Sequence, residues 1–210
     1  MKTNQDYKNS ALAALKGKWT PAVICTLVYL VVSAVASTVG NSENSYLLLI
    51  SVLLSIWVTM PLGVGVYCAF KNLYLDGDVR VVENMFNIGF TDWKRNVIGM
   101  FLASLFTFLW MLLLIVPGVI KGLAYSFTPF ILKEHPELSP RDAIRLSVSM
   151  MEGHKWDFFL LCLSFFGWIL LSILTLGIGL LWLVPYMYTT YVAFYEDVRA
   201  EYESRQITAA

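Results

Sequence analysis

The apolar residues of the chain lie in long uninterrupted runs. The first two runs, 21–39 and 46–70, are each long enough to cross the roughly 30 Å hydrocarbon core of a bilayer as a helix. A polar turn from Gly40 to Ser45 separates them, and Pro61 predicts a kink in the second run. The backbone carbonyl that this kink frees needs cover from a neighbouring helix.

Two later apolar stretches, 97–132 and 157–195, are each too long for a single span. The Pro117-Gly118 pair interrupts the first stretch, and Gly177 and Gly179 interrupt the second. We therefore interpret each stretch as two helices joined by a tight turn, which predicts an all-α polytopic membrane bundle of three helical hairpins. The six predicted spans cover about 21–39, 46–70, 97–116, 118–132, 157–175 and 178–195.

The distribution of basic residues favours this topology. Four of them lie in each of the segments 1–20, 71–96 and 133–156, and two lie in 196–210. Because positive residues favour the cytoplasmic side of a membrane, these four segments and both termini are predicted to be cytoplasmic. The remaining basic residue is Lys121, near the predicted outer turn. Its side chain can either reach water there or contact a lipid headgroup.

Each predicted hairpin follows a segment in which a tryptophan stands next to a lysine. These tryptophans are Trp19, Trp93 and Trp156. An aromatic ring beside a cation is typical of an anchor at the membrane interface. We therefore expect all three to mark the depth at which a hairpin enters the membrane.

Short amphipathic helices are predicted within the same cytoplasmic segments. The clearest pattern runs from Ser139 to Trp156, where Ser139 can cap a helix whose apolar positions are Ile144, Val148 and Met151. Weaker patterns cover 79–88 and 7–18. Such helices are typical of the membrane interface, where they act either as plain connectors or as surfaces for a lipid or a partner.

The composition separates this chain from soluble proteins. Of its 210 residues, 58% are apolar and 14% are charged, and the mean hydropathy is +0.64. Soluble domains carry about 25% charged residues, because their surfaces must meet water. The net charge is zero, which implies no bulk attraction to nucleic acid or to anionic lipid. The predicted partners are the lipid bilayer and a membrane protein, and the oligomeric state is left open.

Hydroxyl-bearing residues cluster in the fourth and sixth predicted spans. They are Tyr125, Ser126, Thr128, Tyr186, Tyr188, Thr189, Thr190 and Tyr191. Because lipid disfavours exposed hydroxyls, we expect these side chains to face the helix bundle. Two interpretations stay open, namely hydrogen bonds that join helices and a wet cavity, open to the cytoplasm, for a small or lipidic ligand.

The sequence contains no P-loop, GxSxG or HExxH motif. His135 and His154 share a loop with three glutamates, but their spacing matches no metal-ligand template. We therefore predict no catalytic, cofactor-binding or metal-binding residues. The expected role is that of a non-enzymatic accessory or scaffold component, and the alternative is a small transport or lipid-handling protein that uses the hydroxyl-lined cavity.

Several uncommon strings occur in order along the chain. They are "ALKGKW" (14–19), "LLLIVPGVIKGLAYSFTPFIL" (112–132), "SMMEGHKWDFF" (149–159), "LSFFGWILLSILTLGIG" (163–179) and "LVPYMYTTYVAFYEDV" (183–198). With these strings the chain resembles the bacterial integral-membrane family called domain of unknown function 975. The resemblance implies a multi-span protein of the bacterial plasma membrane, and it supplies no reaction and no catalytic residues.

Overall fold

The computed structural model describes residues 2–40 and 45–209, and this part of the chain consists of helices and the turns between them. The α-helices are α1 (Asn4–Leu15), α2 (Trp19–Gly40), α3 (Ser45–Leu54), α4 (Met60–Leu75), α5 (Val81–Thr91), α6 (Trp93–Leu113), α7 (Ile115–Ala124), α8 (Thr128–Glu134), α9 (Pro140–Met150), α10 (Lys155–Leu163), α11 (Phe166–Leu174) and α12 (Leu180–Ala209). A π-helical segment, Ser55–Thr59, joins α3 to α4 without a break. The all-α prediction is confirmed.

Five helical stretches within the described residues are long and apolar enough to cross a membrane. They are Trp19–Ser37, Ser45–Leu75, Trp93–Leu113, Ile115–Glu134 and Lys155–Leu174. The first five predicted spans fall on these stretches. The sixth, 178–195, falls on the first half of α12, whose tyrosines and threonines make it less apolar than the others.

The turn predicted at Pro117-Gly118 lies earlier in the structure. Leu114 has extended backbone angles and separates α6 from α7. Pro117 instead lies in the first turn of α7, where its missing N–H costs no helical hydrogen bond. The turn near Gly177 is confirmed, because this glycine has a φ of +86° between α11 and α12.

Helices α4 and α5 approach each other closely at two glycines. A Cβ atom on Gly65 would overlap the carbonyl oxygen of Met85, and one on Gly89 would lie 2.8 Å from the carbonyl oxygen of Pro61. The second amphipathic pattern therefore forms a helix that packs along α4. Its apolar residues Val81 and Met85 are buried in the protein rather than open to lipid.

The carbonyl that Pro61 leaves without its helical donor is covered by another helix, as the sequence requires. Pro61 has no N–H to donate to the carbonyl of Trp57, four residues earlier. The indole Nε1 of Trp93 donates to this carbonyl at 2.9 Å, and the two indole rings stack 4.5 Å apart. Trp93 thus stabilises the helix around Pro61, in addition to any contact with the membrane interface.

Polar side chains also satisfy the backbone where other helices are broken. Ser147 of α9 donates to the carbonyl of Ala124 and accepts from the N–H of Phe127, so it bridges the break between α7 and α8. Lys8 of α1 donates to the carbonyl of Ser164, at the break between α10 and α11. Arg95 of α6 donates to four carbonyls at and beyond the end of α8. These bonds let short helices pack in an apolar environment.

The helix predicted after Ser139 is confirmed as α9, and the Ser139 side chain accepts a hydrogen bond from the N–H of Asp142. Two residues of the predicted apolar stripe, Ile144 and Met151, are buried against the protein. Of the two alternatives for this segment, the burial favours a plain connector over a surface for a lipid or a partner. The helix packs against α6 and α8, and its apolar side shields these two helices from solvent.

Candidate functional site

A network of charged side chains joins the C-terminal parts of α4 and α8 to the middle of α12. We call it the charged network, and it consists of Lys71, Glu134, Glu196 and Arg199. The ammonium group of Lys71 contacts Glu134 and lies 2.7 Å from Oε1 of Glu196. Arg199 lies 3.3 Å from Oε2 of Glu134 and 3.7 Å from Oε2 of Glu196. Two carboxylates and two cations therefore balance each other where three helices meet.

Aromatic packing holds the charged network in place. The Tyr195 hydroxyl donates to Oε2 of Glu134 at 2.7 Å, and the Lys71 ammonium lies 4.7 Å from the centre of the Tyr195 ring. That ring stacks on Phe130 at 4.4 Å and meets Phe127 edge to face at 5.0 Å. The side chain of Lys71 is only 10% exposed. Its positive charge is therefore stable only because the two carboxylates accompany it.

A cavity of about 380 Å³ opens beside the charged network. Its further polar lining comes from Asn72, Lys133, His135 and Glu203. Arg199 donates to Glu203 at 2.9 Å, and this bond, with the negative charge of Glu196 nearby, raises the pKa of Arg199. Lys71 and Arg199 thus face carboxylates, and the arrangement provides an electrostatic link between helices.

The sequence did not predict the charged network. Lys71, Glu134 and Glu196 each stand at the edge of a predicted span, where a charged residue is ordinarily solvated. All three residues follow the cytoplasmic end of a predicted span, and this shared position was the one hint in the sequence that they could meet. Pairing them required knowing that α4, α8 and α12 are neighbours, and nothing local in the sequence states this.

The structure divides the predicted hydroxyl cluster. The α12 tyrosines pack among aromatic rings, with Tyr188 against Tyr67 and Phe70, Tyr191 against Phe158 and Phe165, and Tyr186 against Phe165. Tyr125 and Ser126 lie elsewhere, in a cavity of about 410 Å³ between α4, α6 and α7. We call this the Tyr125 cavity, and Tyr67, Ser104 and Thr107 also line it.

Three hydroxyl groups of the cluster donate to backbone carbonyls three or four residues earlier. Thr189 donates to the carbonyl of Pro185, Thr190 to that of Tyr186, and Ser126 to that of Leu123. Threonine in a helix readily forms such bonds to the preceding turn. The buried Thr128 hydroxyl has no partner among the residues that the structure describes. The side chains of Tyr125 and Tyr191 also bond to Trp110 of α6 and Cys162 of α10.

The remaining predicted contact residues have varied surroundings. The Lys121 ammonium lies 5.3 Å from the centre of the Trp110 ring. Trp19 lines a groove with Trp168 and Trp182. Trp156 is 66% exposed on the surface of α10. Across residues 2–40 and 45–209, no three His, Cys, Asp or Glu side chains converge as they would at a metal site.

These helices define an all-helical protein with several segments apolar enough to cross a membrane. The chain belongs to the family described as "Protein of unknown function (DUF975)", whose model matches residues 45–202. All four residues of the charged network lie within the matched range. No protein of curated function and no solved structure matches the chain.

Proposed function

We propose that the chain is a multi-pass protein of the bacterial plasma membrane, with six spans in three helical hairpins and both termini in the cytoplasm. Five apolar helices and the one-sided distribution of basic residues support this topology. The first half of α12 is the sixth span. Its hydroxyl groups are tolerable there because Thr189 and Thr190 are buried and bonded within the helix.

Reporter fusions distinguish six spans from five. Fusions at Glu137 and after Tyr202 should both report cytoplasm, and a fusion at Asn44 should report the outside. If the first half of α12 does not cross the membrane, the fusion after Tyr202 will report the side opposite to Glu137. An external signal at Glu137 would overturn the whole arrangement.

We further propose that the protein is a non-enzymatic accessory or scaffold component that binds another membrane protein. The observation that carries this proposal is the charged network, in which the buried Lys71 is paired with two partly buried carboxylates and the group links α4, α8 and α12. Charges used in this way stabilise a fixed arrangement of helices. Exposed apolar side chains, such as Phe108 and Leu112, lie on α6.

Cross-linking in native membranes tests this role. The tagged chain should yield a stoichiometric complex with the same membrane protein in repeated purifications. An unrelated six-span protein, expressed at the same level in the same membrane, is the control for background capture. Recovery of the chain alone, or of proteins that the control captures equally, would contradict the proposal.

The Tyr125 cavity favours a second candidate function, in which the protein handles a small amphipathic molecule. Its lining combines hydroxyl groups with apolar side chains such as Met100 and Phe108. A fluorescent fatty acid should bind the purified protein, and Ser104→Trp should weaken binding several-fold by filling the cavity. Ser149→Trp is the control, because Ser149 is exposed on α9 and lies outside this cavity.

A further inference from the structure

An apolar groove runs along the protein surface between α7 and α10. Val116, Val119 and Leu123 form its α7 side, and Trp156 and Phe159 form its α10 side. Its volume is about 520 Å³, which lies within the range of small-molecule sites. The Trp156 and Phe159 rings stack 5.4 Å apart, so the α10 wall of this α7–α10 groove is flat and aromatic.

One end of the α7–α10 groove is positively charged. Lys155 is its one charged lining residue within the part of the chain that the structure describes, and it forms no ion pair there. It is also the first residue of α10, whose first-turn amides have no acceptors within the helix. Asp157 also lies in the first turn of α10 but does not line the groove. The groove therefore combines a long apolar wall with a cation at its mouth.

We propose that the α7–α10 groove binds an anionic phospholipid, with an acyl chain against Val119 and Trp156 and the phosphate at Lys155. The charge at the mouth complements a phosphate, and the groove beyond it offers only apolar contacts to a chain. The exposure of Trp156 leaves the groove open to entry from the side. This inference rests on the membrane location proposed above and adds a ligand class.

Native mass spectrometry of the full chain in detergent tests the site. Phosphatidylglycerol should bind, and Lys155→Gln should weaken binding about tenfold, the loss expected for one charge-assisted hydrogen bond. Lys94→Gln is the matched control, because Lys94 is an exposed lysine beside Trp93 at the start of α6. It should bind as the unmodified protein does. Val119→Trp should also weaken binding, because it fills the groove.

Two further ligands separate the contribution of the acyl chains from that of the net negative charge of the headgroup. Glycerol 3-phosphate, which has the phosphate without acyl chains, should not bind, and phosphatidylcholine should bind more weakly than phosphatidylglycerol. Equal binding of phosphatidylglycerol by Lys155→Gln and Lys94→Gln would overturn the proposal, as would binding of glycerol 3-phosphate alone. Membrane fractionation keeps the two proposals distinct. Recovery of the chain in the soluble fraction would defeat the membrane location, whereas a membrane-bound chain without lipid selectivity would defeat only this site.

Discussion

At the scale of single residues, the spacing between α4 and α5 depends on glycine. Gly63 and Gly65 both lie in α4, but only Gly65 is at the closest approach, where a Cβ atom would overlap the Met85 carbonyl oxygen. A Cβ atom on Gly63 would lie 3.8 Å from the Tyr29 hydroxyl, which is an ordinary contact. The two positions therefore provide a matched pair of substitutions.

Gly65→Ala should lower the free energy of unfolding by about 2 kcal/mol, because overpacking forces the α5 backbone away from α4. Gly63→Ala should be neutral or stabilise by up to about 1 kcal/mol, since alanine favours helix and has room. Thermal unfolding of both variants in the same detergent measures the difference. Equal midpoints would show that the two helices are not in close contact.

At the scale of the element, the second apolar helix depends around Pro61 on a residue far along the chain. Trp93→Phe keeps an aromatic ring on Trp57 but removes the hydrogen bond to its carbonyl. We expect a loss of about 1–3 kcal/mol in the free energy of unfolding, the cost of an unsatisfied carbonyl. The Pro61→Ala background supplies a backbone donor to the same carbonyl, so Trp93→Phe should cost less there. An unchanged cost in that background would contradict this role of Trp93.

The docking of α1 on α12 should depend on pH. The Tyr7 hydroxyl donates to Oδ2 of Asp197 at 2.6 Å. Burial opposes ionisation of Asp197, but the bonds from Tyr7 and the Lys2 amide, with the charge of Lys2, outweigh it and lower the pKa of Asp197 below its usual 3.8. Ionised Asp197 therefore stabilises the folded protein fully at pH values well above 3.8. This stabilisation is lost as the pH falls through the lower pKa that Asp197 has in the folded protein.

Hydrogen exchange within α1 measures this dependence. Protection, corrected for intrinsic exchange rates, should stay constant from about pH 7 to about pH 5 and should fall below the usual aspartate range. Asp197→Asn should show weaker protection at neutral pH and a smaller acid-induced change. If acid lowers the protection of α1 in Asp197→Asn as much as in the wild type, the acid sensitivity belongs to other carboxylates.

Helix positions could be predicted from the sequence more fully than helix contacts. Runs of apolar residues predicted five of the apolar helices, and the Ser139 cap predicted the start of α9. The break at Leu114 was placed at Pro117, because a proline marks either the end of a helix or its first turn. The break after Leu163 has neither a proline nor a positive-φ glycine, and Lys8 satisfies it from a distant helix. Such contacts depend on tertiary neighbours.

At the scale of the whole molecule, the charged network joins three parts of the chain that are remote in sequence. Lys71 lies between the carboxylates of Glu134 and Glu196, and the side chains of these carboxylates are 20% and 24% exposed. Lys71→Met would leave two partly buried carboxylates without their main cation. We expect the free energy of unfolding to decrease by about 3 kcal/mol. This is the lower end of the range for breaking a buried ion pair, because water reaches the carboxylates in part.

A neutral replacement of the whole group distinguishes pairing from packing. Adding Glu134→Gln and Glu196→Gln to Lys71→Met removes the unpaired charges, so much of the lost stability should return. Lys133→Met is the control, because Lys133 is exposed beside the same cavity and forms no ion pair within the described residues. It should change the unfolding midpoint little. If Lys71→Met behaves like Lys133→Met, aromatic packing around Tyr195 alone holds α4, α8 and α12 together, and the scaffold role proposed from the network loses its support.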